Sequence, residues 1–409
     1  MAKNLLYIIV FLCFFFVSCS SDSDLSSYVS DNIIELPEES SEYYINCIDS
    51  VTILSLSVDK DWVYVNDPFM SNSSNSYFLL DRETYHLIRY DKNGNKTFSK
   101  VIRGRGRGEV LNVGNIFCIN DSVCIFDIGT GRIVIYDNQG QYKGFLNTKN
   151  EIIADVVFPM GENNYVATSN AGFSTKDRHF VSIMDKDFKI IKEHISLPNY
   201  IYDMNVRSKN SNLACMYDDT LRFMLQFDYN VFSVTPDTIM SSYYLKTSNP
   251  IQTSDISAKD KKPDNTLNLI QDFYNKGYAS FFSGFGETER FIMFNYVMNQ
   301  KKYNVLIDKK DMKSYSFSLS DYLNEDMIDY LDDDHLLIWK LIISNCYLLY
   351  CDGDCAYCSV DAGLYNILKS AINILDDRLM KLYNEMNSYY TNNIISENDK
   401  VLIKVFFKK

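Results

Sequence analysis

Short runs of alternating apolar and polar residues recur along this chain, separated by polar turns. The clearest stretch runs from Tyr77 to Phe145. Residues 77–80 and 87–90 read as strands joined by Asp81-Arg82-Glu83-Thr84, which is turn chemistry. Asp91-Lys92-Asn93-Gly94-Asn95 then turns the chain into a strand at 97–102. The same order returns in 116–119, 123–127 and 133–136, followed by the turn Asp137-Asn138-Gln139-Gly140 and a strand at 142–146. Asp91 and Asp137 are 46 residues apart, and Asp185 opens a looser third copy 48 residues later. Self-similarity at that period predicts the stacked four-stranded blades of a β-propeller.

A fourth unit follows through 213–217, 222–228, 231–235 and 242–245, and a fifth through 279–283, 291–296, 303–308 and 314–319. A sixth begins with strands at 335–341 and 346–351 and finishes only at 401–407. With a first strand at 51–57, the ring is expected to close by pairing the first and last segments, because closure removes exposed edges. Two segments break the rhythm. Residues 249–276 are polar, with a short helix predicted at 267–274. Residues 361–390 carry Leu364, Ile367, Leu368, Ala371, Ile372, Leu375, Leu379, Leu382 and Met386 at spacings of three and four, one apolar helical stripe. That helix is expected to pack on the propeller face or rim, with docking of a partner protein as the alternative. The predicted fold is all-β: a six-bladed β-propeller over residues 43–409 with a helical insertion at about 361–390.

Composition agrees. The 31 Tyr and 26 Phe, against 7 Pro and 16 Gly, suit half-buried strands. A net charge of −13 argues against nucleic-acid binding. At the N-terminus, Lys3 precedes an uncharged apolar run over 5–17 that is too short to span a bilayer, so residues 1–18 read as a signal peptide. It ends in Phe16-Val17-Ser18-Cys19, which resembles a bacterial lipobox, although Phe16 stands where Leu is usual. Diacylated Cys19 would anchor the mature chain in a membrane. Residues 19–42, rich in Ser, Asp and Glu, read as a flexible tether. Within them, Ser20-Ser21-Asp22-Ser23-Asp24 resembles the signal that sends some lipoproteins to the outer face of the outer membrane.

The chain as a whole resembles the six-bladed, TolB-like β-propeller lipoproteins of Bacteroidota. The shared features are the lipobox at Cys19, the 89–100 strand-turn-strand, the Gly104-Arg105-Gly106-Arg107-Gly108-Glu109 loop, and the repeat from Ile125-Phe126-Asp127 to Gly140. Residues 285–292 and the tail 398–403 resemble further segments of that family. Arg107 departs from its usual Pro, and the 361–390 helix with its cysteine lead-in is a second departure. The resemblance implies a fold and a lipid-anchored outer-membrane address, on the periplasmic or cell-surface side, and no settled biochemical activity.

Candidate chemistry is sparse. The loop 103–109 lacks the following helix that a phosphate cradle needs, so it reads as a connector. Its Arg103, Arg105 and Arg107 remain candidate contacts for an anion or sugar acid. Asp91-Lys92-Asn93-Gly94-Asn95 has its Gly at the wrong position for a calcium loop and reads as an Asx turn. Cys118, Cys124 and Cys215 read as small core hydrophobes. Cys346, Cys351, Cys355 and Cys358 form a thiol cluster for which a disulfide is the simplest outcome outside the cytoplasm. Packed free thiols, a metal site and redox catalysis are the alternatives. His86, His179, His194 and His335 form no paired motif, and Glu287 with Glu289 is only one carboxylate spacing among many. No catalytic residue, cofactor or metal is expected. The sequence therefore points to a cell-envelope propeller that binds a protein or glycan partner without catalysis. A propeller hydrolase or lyase acting on extracellular glycan is the alternative.

Overall fold

A computed structural model describes residues 30–39, 41–54, 68–148, 154–168, 179–196, 213–225, 228–251, 266–318, 335–392 and 400–409. The leader, Cys19 and residues 20–29 lie outside the described residues. Two strands, β1 (Ile33–Glu35) and β2 (Ile48–Ile53), precede the blades. Blade 1 holds β3 (Pro68–Asn72), β4 (Ser76–Asp81), β5 (His86–Asp91) and β6 (Lys96–Val101). Blade 2 holds β7 (Val113–Ile119), β8 (Ser122–Asp127), β9 (Arg132–Tyr136) and β10 (Tyr142–Asn147). Blade 3 holds β11 (Val156–Met160), β12 (Asn164–Thr168), β13 (His179–Asp185) and β14 (Ile190–Ser196). Blade 4 holds β15 (Ala214–Tyr217), β16 (Thr220–Met224), β17 (Asn230–Val234) and β18 (Ile239–Lys246). Blade 5 holds β19 (Ser280–Glu287), β20 (Phe291–Met298), β21 (Lys301–Asp308) and β22 (Lys313–Ser318). Blade 6 holds β23 (Tyr347–Asp352), β24 (Cys355–Asp361) and β25 (Lys400–Phe407), with β2 as its outer strand.

The chain is thus a six-bladed propeller. Its core is divided as that architecture requires. Six hydrophobic clusters each lie between two neighbouring blades, and together they run right round the ring. Phe78, Leu80 and Leu87 of blade 1 meet Ile116, Ile125 and Val134 of blade 2, for example. Each blade therefore buries its apolar faces against its neighbours and has no separate interior.

The predicted closure is present, with one change of membership. The first predicted strand, at 51–57, overlaps the end of β2, its residues 55–57 lying outside the described residues, and β2 pairs antiparallel with β25 in the last blade (Ile48 with Phe407, Ile53 with Ile403). The outer edge of β2 is itself covered. Glu385 accepts a hydrogen bond from the Ile53 backbone N–H at 2.8 Å, and Arg378 donates to the Ile48 carbonyl at 2.7 Å.

Three expectations need correcting. The stretch read as tether up to residue 42 contains β1, which runs parallel to β18 with Ile34 opposite Leu245. Ile34 and Leu36 join the core between blades 4 and 5, so burial of two side chains, which composition hid, fixes this segment. Residues 335–341, read as a strand, begin a helix, His335–Asn345. Ile338, Trp339 and Ile342 are buried on one side of it, and a continuous apolar run cannot by itself distinguish a buried helix from a strand. The single helix predicted at 361–390 is broken into Leu364–Ser370, a 3-10 turn Ile372–Ile374, and Asp377–Asn392. Asp376 sets the break by capping the last helix, its Oδ1 accepting from the Leu379 N–H at 2.9 Å. Leu364, Leu368, Ala371, Leu379, Leu382 and Met386 are all buried, so most of the stripe is used in the protein's own core. The short helix predicted at 267–274 is present as Thr266–Asn275. No described helix is long and apolar enough to cross a membrane.

The repeated turns follow one rule. Asp91 Oδ1 accepts from the backbone N–H groups of Asn93 (2.9 Å) and Asn95 (2.8 Å). Asp137 and Asp185 do the same two and four residues on. Gly94 (φ 82°) and Gly140 (φ 75°) supply the left-handed residue, and in the third copy Phe188 adopts it at φ 59°.

Candidate functional site

The inner strands of all six blades converge on a central cavity of about 170 Å³. Its wall is mostly apolar, with Phe69, Phe117, Phe158, Phe285, Met70 and Met216 among the lining side chains. Such a wall suits an apolar group far better than a sugar, whose hydroxyls would lose hydrogen bonds there. Adjacent inner strands in a propeller share no ladder, so side chains must link them. Asn115 does this between blades 2 and 3, its Nδ2 donating to the Val157 carbonyl at 2.8 Å while its Oδ1 accepts from the Val157 N–H at 3.0 Å. Gly286 is required by close approach, because a Cβ there would lie 2.6 Å from Leu348 Cδ2 and 2.7 Å from Cys351 Sγ.

Three thiols, Cys118, Cys215 and Cys351, also line this cavity. Ser71 donates its hydroxyl hydrogen to Cys118 Sγ at 3.3 Å. Burial pushes the Cys118 thiol up to about 11 and raises Cys215 and Cys351 too. All three are therefore protonated near neutral pH and add soft, apolar surface rather than nucleophiles.

Polar groups gather where the inner strands end. Asn72 of β3 donates to Asp352 of β23 and accepts from Lys92, whose Nζ sits 4.2 Å over the Tyr77 ring. Desolvation lowers the Lys92 pKa. Glu287, at the end of β19, is held by Arg222 at 3.1 Å and Lys309 at 3.0 Å, and its side chain is only 2% exposed. A carboxylate clamped between two cations is a fastening between blades rather than a general acid. Glu289 does not oppose it, and its backbone N–H donates to the Gly353 carbonyl at 2.9 Å.

Of the candidate anion loop and thiol cluster, only Cys351 lines the central cavity, together with Cys118 and Cys215, which the sequence placed in the core. Arg103, Arg105 and Arg107 are exposed on the blade 1–2 connector. Arg103 lies 5.1 Å from the Tyr85 ring centroid. The loop's own Glu109 accepts from the Gly106 N–H at 2.7 Å, so the glycine amide that would cradle an anion already has a carboxylate. The four clustered cysteines do not converge on one point. Cys351 faces the cavity, Cys355 joins the core between blades 6 and 1, and Cys346 and Cys358 pack beside each other beneath the helices. All eight described cysteines are free thiols. Among the described residues, no group of three or more His, Cys, Asp or Glu is placed to hold a metal ion. The cavity lining escaped the sequence reading because its members come from six separate strands. The only signal was a shared offset within each repeat, which is clear only once the strands are aligned.

A family model for the 6-bladed beta-propeller DUF5128 matches residues 22–333. The chain belongs to that family. The match ends before His335, so the helices from His335 onward and β23 to β25 of this DUF5128 propeller lie beyond it. Among solved structures it is similar to a protein of Bacteroides fragilis NCTC 9343 described as exported. That likeness has 16% identity and a TM-score of 0.69, over 92% of this chain and 99% of the other. A DUF4221 family member from Bacteroides vulgatus gives 10% identity and a TM-score of 0.46, over 88% and 98% of the two chains. Virginiamycin B lyase from Staphylococcus aureus gives 12% and 0.35, over 65% and 73%. No curated protein matches this DUF5128 propeller in sequence.

Proposed function

We propose that this propeller is an exported lipoprotein that holds a small apolar group in its central cavity, without catalysis. The group is a free ligand or an apolar side chain of a partner protein. The observation that carries this reading is the cavity of about 170 Å³ to which every blade contributes. A dry cavity of about 150 Å³ holds one benzene ring, so the space suits a single ring or a short aliphatic chain. Export is supported by the leader over residues 1–18, by the lipobox at Cys19 and by the Bacteroides fragilis relative described as exported. With Cys19 acylated in the outer membrane, residues 20–29 would reach at most roughly 36 Å, so the propeller would stay close to the membrane. Ser30 already grips the blade, donating to the Ser242 carbonyl on β18 at 3.0 Å.

Calorimetric titration of the purified protein with indole, phenol and a neutral monosaccharide tests the reading. Indole or phenol is expected to bind, and Met216→Trp, which fills the cavity, is expected to weaken that binding at least about tenfold. Failure of both aromatics to bind, or binding indifferent to Met216→Trp, would overturn it. Preferential binding of the sugar would move the argument to the glycan reading.

A further inference from the structure

Cys346 lies directly before β23, and Cys358 sits within β24. In the hairpin these strands form, Cys358 is opposite Leu348, which places Cys346 two residues away on the same face, a diagonal neighbour of Cys358. Diagonal Cβ atoms across an antiparallel pair are separated by about 7 Å or a little less. That is above the ordinary disulfide range, so the bridge requires the main chain at Cys346, which lies just before β23 begins, to move about 3 Å toward Cys358. Both side chains pack in the same hydrophobic cluster beneath the helices, and the neighbouring Cys358 thiol, together with burial, raises the Cys346 thiol above its ordinary value. Both border a second cavity, of about 50 Å³, with Asn304 and Tyr44. The Asn304 amide group, on a residue only 4% exposed, has no hydrogen-bond partner for its Nδ2. The space around the pair is therefore not fully packed, and this leaves room for the movement.

We propose that Cys346 and Cys358 form a disulfide in the exported protein and that the structure shows the dithiol form. The bond joins the two Sγ atoms, and the two thiol protons and two electrons pass to a disulfide-bearing thiol oxidase by exchange. The bridge pins the start of the inner strand β23 to β24, just after the helix His335–Asn345 delivers the chain to it. It therefore fastens the helices to the blade that closes the ring. Cys351 and Cys355 take no part, because they face the central cavity and the blade 6–1 core. Because Cys358 is buried and Cys346 only partly exposed, the bridge forms while the chain is folding rather than in the finished core.

The proposal rests in part on the export reading, so the test has two arms. In the first, protein purified from the cell envelope is alkylated in denaturant with and without prior reduction. In the second, denatured and reduced protein is refolded in a glutathione redox buffer and alkylated in the same way. Two fewer alkylated cysteines without reduction are expected in both arms. Cys346→Ser or Cys358→Ser should abolish that difference, and Cys355→Ser should keep it. The bridged form should melt roughly 2–4 °C above the reduced form. Full alkylation in the refolding arm, or a bridge that survives Cys346→Ser, overturns the pairing. A bridge found only in the refolding arm supports the pairing and removes the export reading.

Discussion

Arg222 Nε lies 3.1 Å from Glu287 Oε2 and joins blade 4 to blade 5 through a buried ion pair. Lys309 completes the arrangement from the start of the next turn, its Nζ 3.0 Å from Glu287 Oε1 and 4.0 Å over the Tyr217 ring. Removing one member of a buried pair leaves the other charge uncompensated, which typically costs about 3–5 kcal/mol. Glu287→Gln should therefore destabilise the protein by about that amount in urea unfolding. A loss below about 0.5 kcal/mol would mean that water already solvates the two cations.

Glu287 also shows where sequence reading stops. Its identity and neighbours are visible in the sequence, where its spacing from Glu289 is only one carboxylate spacing among many. Its real partners come from β16 and from the turn after β21, and no local spacing announces them. The turns were legible for the opposite reason, since Asp91 and Asp137 bond to groups two and four residues away. Blade count and the closing strand were legible because they rest on such local repeats. The helix at His335–Asn345 and the strand at Ile33–Glu35 were not, because neighbouring elements decide their form. The central cavity was least legible of all. It draws two to four residues from each of six strands, and Gly286 has meaning there only beside Leu348 and Cys351.

Gly286→Ala should disturb that cavity directly. The added methyl would collide with Leu348 Cδ2 and Cys351 Sγ, at 2.6 and 2.7 Å. Overpacking of this kind costs about 1–3 kcal/mol. Adding Cys351→Ala removes one of the two colliding atoms and should recover part of the loss. Paired urea melts of the single and double variants measure this, and equal stability of the two would place the strain elsewhere.

Acid should weaken the protein through Asp308. Burial tends to raise its pKa, but the hydrogen bonds and charge of Arg290, with the Lys310 backbone N–H and the Tyr43 hydroxyl, outweigh burial and hold it below 3.8. Arg290 Nη2 lies 2.6 Å from the carboxylate. A folded-state pKa below the unfolded one gives stability that is present above the unfolded value and disappears as pH falls through the folded value. The urea midpoint should therefore change little, through this group, from neutral pH down to about 5, then decline below about 4. Asp308→Asn should be less stable at neutral pH and show a shallower acid decline. An acid limb identical to that of the parent would remove Asp308 from the account.

The last strand should decide whether the ring forms at all. β25 lies between β24 and β2, pairing with Ile53 through Ile403 on one side and with Cys358 through the same residue on the other. A chain ending before Lys400 would lose both ladders and the burial of Val401, Leu402, Ile403 and Phe407, which are each at most 6% exposed. It would also leave open edges on β24 and β2, which invite association between copies. Ending the chain before Lys408 is the contrasting case. It removes one backbone bond from the Lys408 N–H to the Cys47 carbonyl and the two carbonyls that accept from Arg290. At about 1 kcal/mol for each hydrogen bond, that shorter truncation should lower stability by a few kcal/mol and leave the fold intact. Size-exclusion chromatography and circular dichroism should find the longer truncation aggregated or unfolded and the shorter one monodisperse and β-rich. A folded, monomeric product of the longer truncation would show that the first five blades hold together without closure.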